Sequence, residues 1–120
     1  MMTILSFRKV RDVIKVADRM INSKDKEALR RDLVASLHGE KEIRKIVIFG
    51  SFLRSEDPHD MDIAVFQDSS EAYLPLALRY RRKTRSISQR IPLDIIPLRV
   101  GVRGSSFLAE IEKGEVIYEA

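Results

Sequence analysis

IVIFGSFLRSEDPHDMDIAVF, residues 46–66, is the stretch that decides the fold of this chain. It opens with the apolar run IVIF, the end of a strand predicted over residues 43–49, and closes with MDIAVF, a second strand predicted over residues 61–66. Apolar runs of this length are typical of strands that are covered on both faces. Gly50-Ser51 ends the first run, and a polar connection leads to the second. The stretch therefore predicts two buried strands joined by a short polar loop.

Helices and further strands are predicted on both sides of this pair. Apolar residues at helical spacing indicate the helices, and serine or aspartate stands where their caps are expected. The predicted elements, in chain order, are a helix over residues 5–21, a helix over 23–37 capped by Ser23, strands over 43–49 and 61–66, a helix over about 70–88 capped by Asp68-Ser69-Ser70, a strand over 91–98, a short helix from Ser105 or Ser106 to about Lys113, and a short strand over 116–118.

This order of helices and strands predicts the fold class. Helices interleaved with short strands favour an α/β (α+β) fold, in which a mixed β-sheet of three to four strands has helices packed on it. Pro92 and Pro97 favour either an edge position or an early stop for the strand over residues 91–98, because proline cannot donate to the ladder of a central strand. The helix over about 70–88 is expected to bury one face, formed by Tyr73, Leu76, Ala77, Tyr80, Thr84 and Ile87.

The composition excludes several classes of protein. The chain has 120 residues, of which 44% are apolar and 33% are charged, so we expect one compact globular domain. It has no cysteine, which excludes disulfides, thiolate metal sites and cysteine nucleophiles. The first residues are too charged for a secretory signal, and no apolar run approaches the roughly 20 residues that span a bilayer. A cytoplasmic protein without membrane contact is therefore expected.

Positive charge is concentrated in one part of the chain. Residues 79–90, called the basic segment below, carry six of the 22 basic residues and no acidic residue, so the other 16 basic residues face 18 acidic ones. Two interpretations stay open. The segment can be a solvated helix face opposite the apolar stripe, or it can be a docking surface for a nucleic acid or an acidic protein partner.

The Gly50-Ser51 pair is a candidate phosphate contact. Glycine allows close approach of the backbone, and successive N–H groups together with a serine hydroxyl can receive phosphate oxygens. Gly-Ser after a strand is also common in ordinary turns, so this pair alone decides nothing. Its interpretation depends on the carboxylates that follow it.

Three aspartates follow. Asp60 and Asp62 are two apart at the start of a predicted strand, so their carboxylates point the same way, and Mg²⁺ would relieve their repulsion. The alternative is a solvated turn after Pro58. Asp94 interrupts an otherwise apolar strand, either as an edge residue that faces solvent or as a neighbour of the pair. In the second case the three carboxylates can hold two metal ions, or one ion with Asp94 as a base.

Together these motifs resemble a known family. Gly50-Ser51-Phe52-Leu53-Arg54, Asp60-Met61-Asp62 and the later Asp94 are similar to the minimal nucleotidyltransferase (MNT) domain of the DNA polymerase β-like nucleotidyltransferase superfamily. The resemblance covers about residues 40–120. It implies the polymerase β-like fold, in a single nucleotidyltransferase domain over residues 1–120 with a helical N-terminal extension over 1–40 and a catalytic core over 41–120.

The resemblance also implies roles for site residues. Gly50, Ser51 and Arg54 would bind the nucleoside triphosphate, which we expect to be ATP. For Arg54 the alternative is an ordinary surface charge. The catalytic residues Asp60, Asp62 and Asp94 would bind one or two Mg²⁺ ions.

The implied activity is Mg²⁺-dependent transfer of AMP from ATP to a hydroxyl of a protein partner. MNT proteins of this size pair with a helical HEPN-type protein in toxin–antitoxin modules, so an antitoxin-like protein is expected. The chain departs from the family pattern at Ser55, where glycine is usual, and at His59, where serine is usual. The alternative is therefore a catalytically weak or inactive nucleotide- and partner-binding module of the same fold.

Overall fold

The computed structural model describes residues 22–104 and 106–120. The helix expected over residues 5–21 lies outside the described residues, and so does Ser105. The elements are, in chain order, α1 (Ser23–Leu37), β1 (Ile43–Phe49), α2 (Ser51–Arg54), β2 (Met61–Gln67), α3 (Tyr73–Lys83), α4 (Arg85–Ser88), β3 (Leu93–Arg99), α5 (Ser106–Glu112) and β4 (Glu115–Glu119).

The described strands form one four-stranded sheet in the order β3-β2-β1-β4. β1 pairs antiparallel with β2 and with β4, whereas β2 and β3 run parallel, so the sheet is mixed. Helices pack on this sheet, and the α+β prediction is confirmed. β3 lies at an edge, as its prolines predicted, because an edge strand leaves one row of backbone groups outside the ladder.

Apolar side chains form clusters on both faces of the sheet. The larger cluster lies under α1, α3 and α4 and includes Ile48, Ile63 and Ile95. The smaller cluster lies under α5 and includes Phe49 and Ala64. Side chains alternate between faces along a strand, so residues next to Ile63 and Ile95 in sequence point to the face of the smaller cluster.

The N-cap of α1 lies one residue before the predicted one. Asn22, not Ser23, is the N-cap: its side-chain oxygen accepts from the Asp25 backbone N–H at 2.9 Å, and its own N–H donates to the Asp25 carboxylate at 3.2 Å. This reciprocal capping box satisfies backbone donors that a helix start leaves free. The helix then buries Leu33 and Leu37 completely, which contributes about 1.5–3 kcal/mol for each side chain.

The helix predicted over about 70–88 begins later than expected. Its N-cap is Ala72, which has no capping side chain, and the predicted cap at Asp68-Ser69-Ser70 is wrong. Asp68 instead accepts a hydrogen bond from Arg44 Nε at 2.7 Å. The N–H and hydroxyl of Ser69 both donate to Gln67 Oε1, at 2.7 and 2.6 Å. These side chains make their hydrogen bonds at the end of β2, so they do not cap the helix.

The same helix is also divided. Thr84 leaves helical geometry at φ −106° and ψ 16°, and its hydroxyl donates to the Tyr80 carbonyl at 2.9 Å, so α3 and α4 are separate. The buried face matches the predicted one at Leu76, Ala77, Tyr80, Thr84 and Ile87. Tyr73 was predicted on that face but is 54% exposed, because it lies in the first turn, beyond the edge of the core.

A charged network joins α3 to the segment before β1. The Arg79 guanidinium donates to Glu40 at 2.9 Å, to Glu42 at 3.0 Å and to Glu71 at 2.8 Å. The Tyr80 hydroxyl donates to the same Glu42 oxygen at 2.7 Å. Arg79 is therefore a structural residue and not a member of a uniformly solvated basic face.

Candidate functional site

Gly50 joins β1 to α2 in a backbone conformation that favours glycine. Its φ is +84°, and a Cβ built there would lie 2.7 Å from Asp62 Oδ2. A side chain at this position would therefore be strained and would displace a carboxylate. The loop and the carboxylate approach each other this closely only because residue 50 has no side chain.

One side of α2 packs on the core, and the other side is exposed. Phe52 is completely buried, and the Lys26 ammonium lies 5.1 Å from the centre of its ring and donates to the Ser55 carbonyl at 2.7 Å. Ser51 and Arg54, at the two ends of the turn, are exposed. Lys26 was not predicted, because nothing in a helix sequence shows that one lysine reaches a loop 29 residues away.

The aspartates lie at one end of the sheet. Asp62 on β2 is opposite Asp94 on the parallel strand β3 and opposite Phe49 on β1. Asp60 lies one residue before β2. Burial raises the pKa of Asp62, and the negative charges of Asp60 and Asp94 raise it further. The three predicted carboxylates are therefore near one another, beside the Gly50 turn.

These carboxylates do not form a ready-made cage. Within residues 22–104 and 106–120, no three carboxylate or imidazole side chains are gathered tightly enough to hold a metal ion by themselves. The donor set nevertheless fits Mg²⁺, which prefers oxygen ligands and takes one or two carboxylates together with waters and substrate phosphates. The repulsion that raises the pKa of Asp62 is also the kind that a divalent cation relieves.

The two positions that depart from the family pattern differ in environment. Ser55 ends α2, and its hydroxyl accepts a hydrogen bond from the Asp57 backbone N–H at 3.0 Å. Serine thus stabilises the turn that leads to the aspartates. His59 is exposed in the loop beside Asp60.

A family model matches most of the chain. The model described as "Polymerase beta, Nucleotidyltransferase" matches residues 31–120, from within α1 to the end of the chain. No curated protein matches the chain. Among the helices of the described residues, none has the length and apolar character needed to cross a membrane. The family match extends over more than half of the sequence and includes Gly50 and the three aspartates. The chain therefore belongs to the polymerase β nucleotidyltransferases, a family of transferases that generally act on nucleotide substrates with divalent metals.

Proposed function

We propose that this protein is a Mg²⁺-dependent adenylyltransferase that moves AMP from ATP to a hydroxyl of a protein partner. The observation that supports it most is the pairing of Asp62 with Asp94 across neighbouring strands, beside a glycine turn with no room for a side chain. The proposed partner is a helical HEPN-type protein, as in toxin–antitoxin pairs of MNT proteins. The proposed location is the cytoplasm. Nucleic acid is a second candidate partner, which would bind through the basic segment.

The site residues have distinct proposed roles. Asp60, Asp62 and Asp94 would hold one or two Mg²⁺ ions, which neutralise charge on the transferring nucleotidyl group when bound. Gly50-Ser51 and Arg54 would contact the triphosphate. These residues would belong to a single nucleotidyltransferase domain over residues 1–120, with residues 41–120 as its catalytic core.

The proposed reaction is an in-line displacement. The acceptor hydroxyl oxygen attacks the α-phosphorus of ATP, the bond from that phosphorus to the bridging oxygen breaks, and pyrophosphate leaves. In the arrangement with one Mg²⁺ ion, the hydroxyl proton would pass to a base, for which Asp94 is the candidate because it is exposed at the strand edge beside Asp62.

The alternative function is a binding module of the same fold without efficient catalysis. Two observations favour it: the carboxylates are not gathered as a ready-made metal site among the described residues, and Ser55 and His59 differ from the family pattern. Such a module would bind its partner without transferring a nucleotide to it.

Two measurements separate these functions. Calorimetry with ATP, with and without Mg²⁺, is expected to give binding that requires the metal. Incubation with a purified HEPN-type partner and ATP labelled at the α-phosphate should leave the label on the partner, whereas a γ-phosphate label should leave with pyrophosphate. Mg²⁺-dependent ATP binding with transfer of the label would favour the enzyme. Partner binding without transfer and without Mg²⁺-dependent ATP affinity would favour the module, and the absence of both ATP binding and partner binding would contradict both functions.

Replacing Gly50 with alanine is expected to weaken Mg²⁺-dependent ATP affinity by about ten-fold or more. The positive φ would strain an alanine by roughly 1–3 kcal/mol, and the new Cβ would push against Asp62 Oδ2. Isothermal calorimetry measures the affinity, and thermal unfolding shows how much of the chain stays folded.

Gly39→Ala is the matched control for this change. A Cβ at Gly39 would meet no heavy atom within 4 Å, so affinity should not change. Equal loss of affinity in both variants would show that the effect of Gly50→Ala does not come from its contact with Asp62.

A further inference from the structure

The basic segment separates into two groups of side chains in the folded chain. The first group is held by carboxylates and consists of Arg79, Lys83 and Arg90, whose partners are Glu40, Glu42, Glu71 and Asp32. The second group, Arg81, Arg82 and Arg85, is exposed and has no ion-pair partner within residues 22–104 and 106–120. Among the described residues, the charge of the basic segment that has no carboxylate partner therefore comes from three neighbouring arginines.

These arginines share one pocket. Arg81, Arg82 and Arg85 line an open cavity of about 480 Å³ between the end of α3, α4 and the start of β3. Leu78 and Leu93 form part of the same lining. A pocket of this volume has room for several side chains of another molecule, and it offers them both guanidinium groups and apolar surface.

Apolar surface continues from the pocket along α3. Leu74 is 60% exposed and Leu78 is 47% exposed. Leu74, Leu78 and Arg82 are each four residues apart, so they form one stripe of the helix. We define Leu74, Leu78, Arg81, Arg82 and Arg85 as the arginine–leucine surface. Covering exposed leucines next to a cavity lowers the free energy, so these leucines favour the binding of a partner.

The arginine–leucine surface lies close to the candidate active site. Leu93, in the pocket lining, is the residue before Asp94, and the two point to opposite faces of the sheet. β3 is an edge strand of the sheet, so no further strand among the described residues separates the pocket from the carboxylates. A molecule that fills the pocket can reach Asp94 by crossing the edge of one strand, a width of about 5 Å.

We propose that the arginine–leucine surface docks the acceptor protein of the transfer reaction, through a segment that carries acidic and aliphatic side chains. This proposal rests on the proposed function, because it names the surface that would bring the acceptor hydroxyl to that site. Carboxylates match the guanidinium groups, with which they form two parallel hydrogen bonds, and aliphatic side chains match the leucines. A nucleic acid would use the arginines through its phosphates but would leave Leu74 and Leu78 uncovered.

The test uses the full chain and a designed helical peptide with leucines at one end of a face and glutamates at the other end. Fluorescence anisotropy should show binding by the wild-type protein that weakens as salt is added. The triple variant Arg81→Gln/Arg82→Gln/Arg85→Gln should lose about ten-fold in affinity, because three exposed ion pairs are removed. Leu78→Ser should lose affinity for this peptide but not for a peptide with serine in place of leucine.

Two matched variants control for charge and for apolar exposure. Lys24→Gln/Arg31→Gln/Lys41→Gln removes the same charge from exposed positions outside the pocket. Val116→Ser removes a side chain that is 49% exposed on β4, close to the value for Leu78. Both controls should bind the peptide as the wild type does. Equal loss in a control and its partner variant would overturn the proposal, and so would tighter, arginine-dependent binding of a single-stranded RNA oligonucleotide.

The outcome can be separated from that of the proposed function. Asp62→Asn should bind the peptide normally, and the triple arginine variant should keep its Mg²⁺-dependent affinity for ATP. If ATP binding fails while arginine- and leucine-dependent peptide binding survives, the proposed function falls and the docking surface stands. If ATP binding survives while peptide binding is absent or insensitive to these substitutions, the docking surface falls alone.

Discussion

Replacing Asp62 with asparagine is expected to lower nucleotidyl transfer by about a thousand-fold, which corresponds to roughly 4 kcal/mol of transition-state stabilisation. Asp62 is the central carboxylate of the site, because it lies opposite Asp94 on β3 and follows Asp60 by two residues. Its carboxylate also lies where a side chain at position 50 would be. Asparagine keeps the shape of the side chain but removes the charge that attracts a divalent cation. Single-turnover transfer from labelled ATP measures the loss.

The same substitution should leave the metal-free protein at least as stable as the wild type. Burial and the charges of Asp60 and Asp94 raise the pKa of Asp62, which means that its charged form is disfavoured in the folded chain. Since the side chain is only half-buried and the repulsion is screened by solvent, we expect a gain of about 0–1 kcal/mol at pH 7. Urea unfolding in the presence of a chelator measures it.

Asp57→Asn provides the comparison within the same loop. Asp57 lies between α2 and β2, and it is not one of the two carboxylates, Asp60 and Asp94, whose charges act on Asp62. This variant should transfer AMP at close to the wild-type rate. Transfer by Asp62→Asn within ten-fold of wild type, or an equal loss in Asp57→Asn, would contradict the assigned role of Asp62.

The central strands could be predicted from the sequence because their signal is local. The bounds of β1 match those predicted, and β2 extends one residue beyond, to Gln67. A strand that is buried on both faces is visible in the sequence as a continuous apolar run. Prolines indicate an edge strand even when its neighbours in the sheet are not known. Asp62 and Asp94 were expected to come together if their strands were neighbours, and the parallel register of β2 and β3 supplies that condition.

The features that were missed depend on contacts distant in sequence. The predicted cap of α3 failed because Asp68 and Ser69 bind Arg44 and Gln67, and no local pattern shows that preference. The basic segment looked uniform because the partners of Arg79 lie up to 39 residues away. The approach of Gly50 to Asp62 is likewise set by the pairing of β1 with β2.

Replacing Glu42 with alanine is expected to destabilise the fold by about 2–3 kcal/mol. Glu42 accepts hydrogen bonds from Arg79 at 3.0 Å and from the fully buried Tyr80 at 2.7 Å, and alanine would leave both donors without this acceptor. The Glu42 and Arg79 side chains are 16% and 26% exposed, so the cost should fall between that of a surface pair and that of a buried one. Urea unfolding at pH 7 measures the change.

The contribution of Glu42 should depend on pH with a definite sign. Burial alone would raise the pKa of Glu42, but the hydrogen bonds from Tyr80, from its own backbone N–H and from Arg79 outweigh burial and lower it. A carboxyl whose pKa is lower in the folded chain stabilises it above the unfolded-state pKa and loses that contribution as the pH falls through the folded-state value. The stability difference between wild type and Glu42→Gln should therefore shrink below about pH 4.

Glu71→Ala separates the buried acceptor from the rest of the network. Glu71 also binds Arg79, at 2.8 Å, but its side chain is 44% exposed and it accepts nothing from Tyr80. Its removal should cost no more than about 1 kcal/mol, because water can replace an exposed partner. If Glu71→Ala were as damaging as Glu42→Ala, the network would depend on the charge of Arg79. If only Glu42→Ala is damaging, the buried hydroxyl of Tyr80 is what requires the carboxylate, and the segment before β1 is held to α3 mainly through that hydrogen bond.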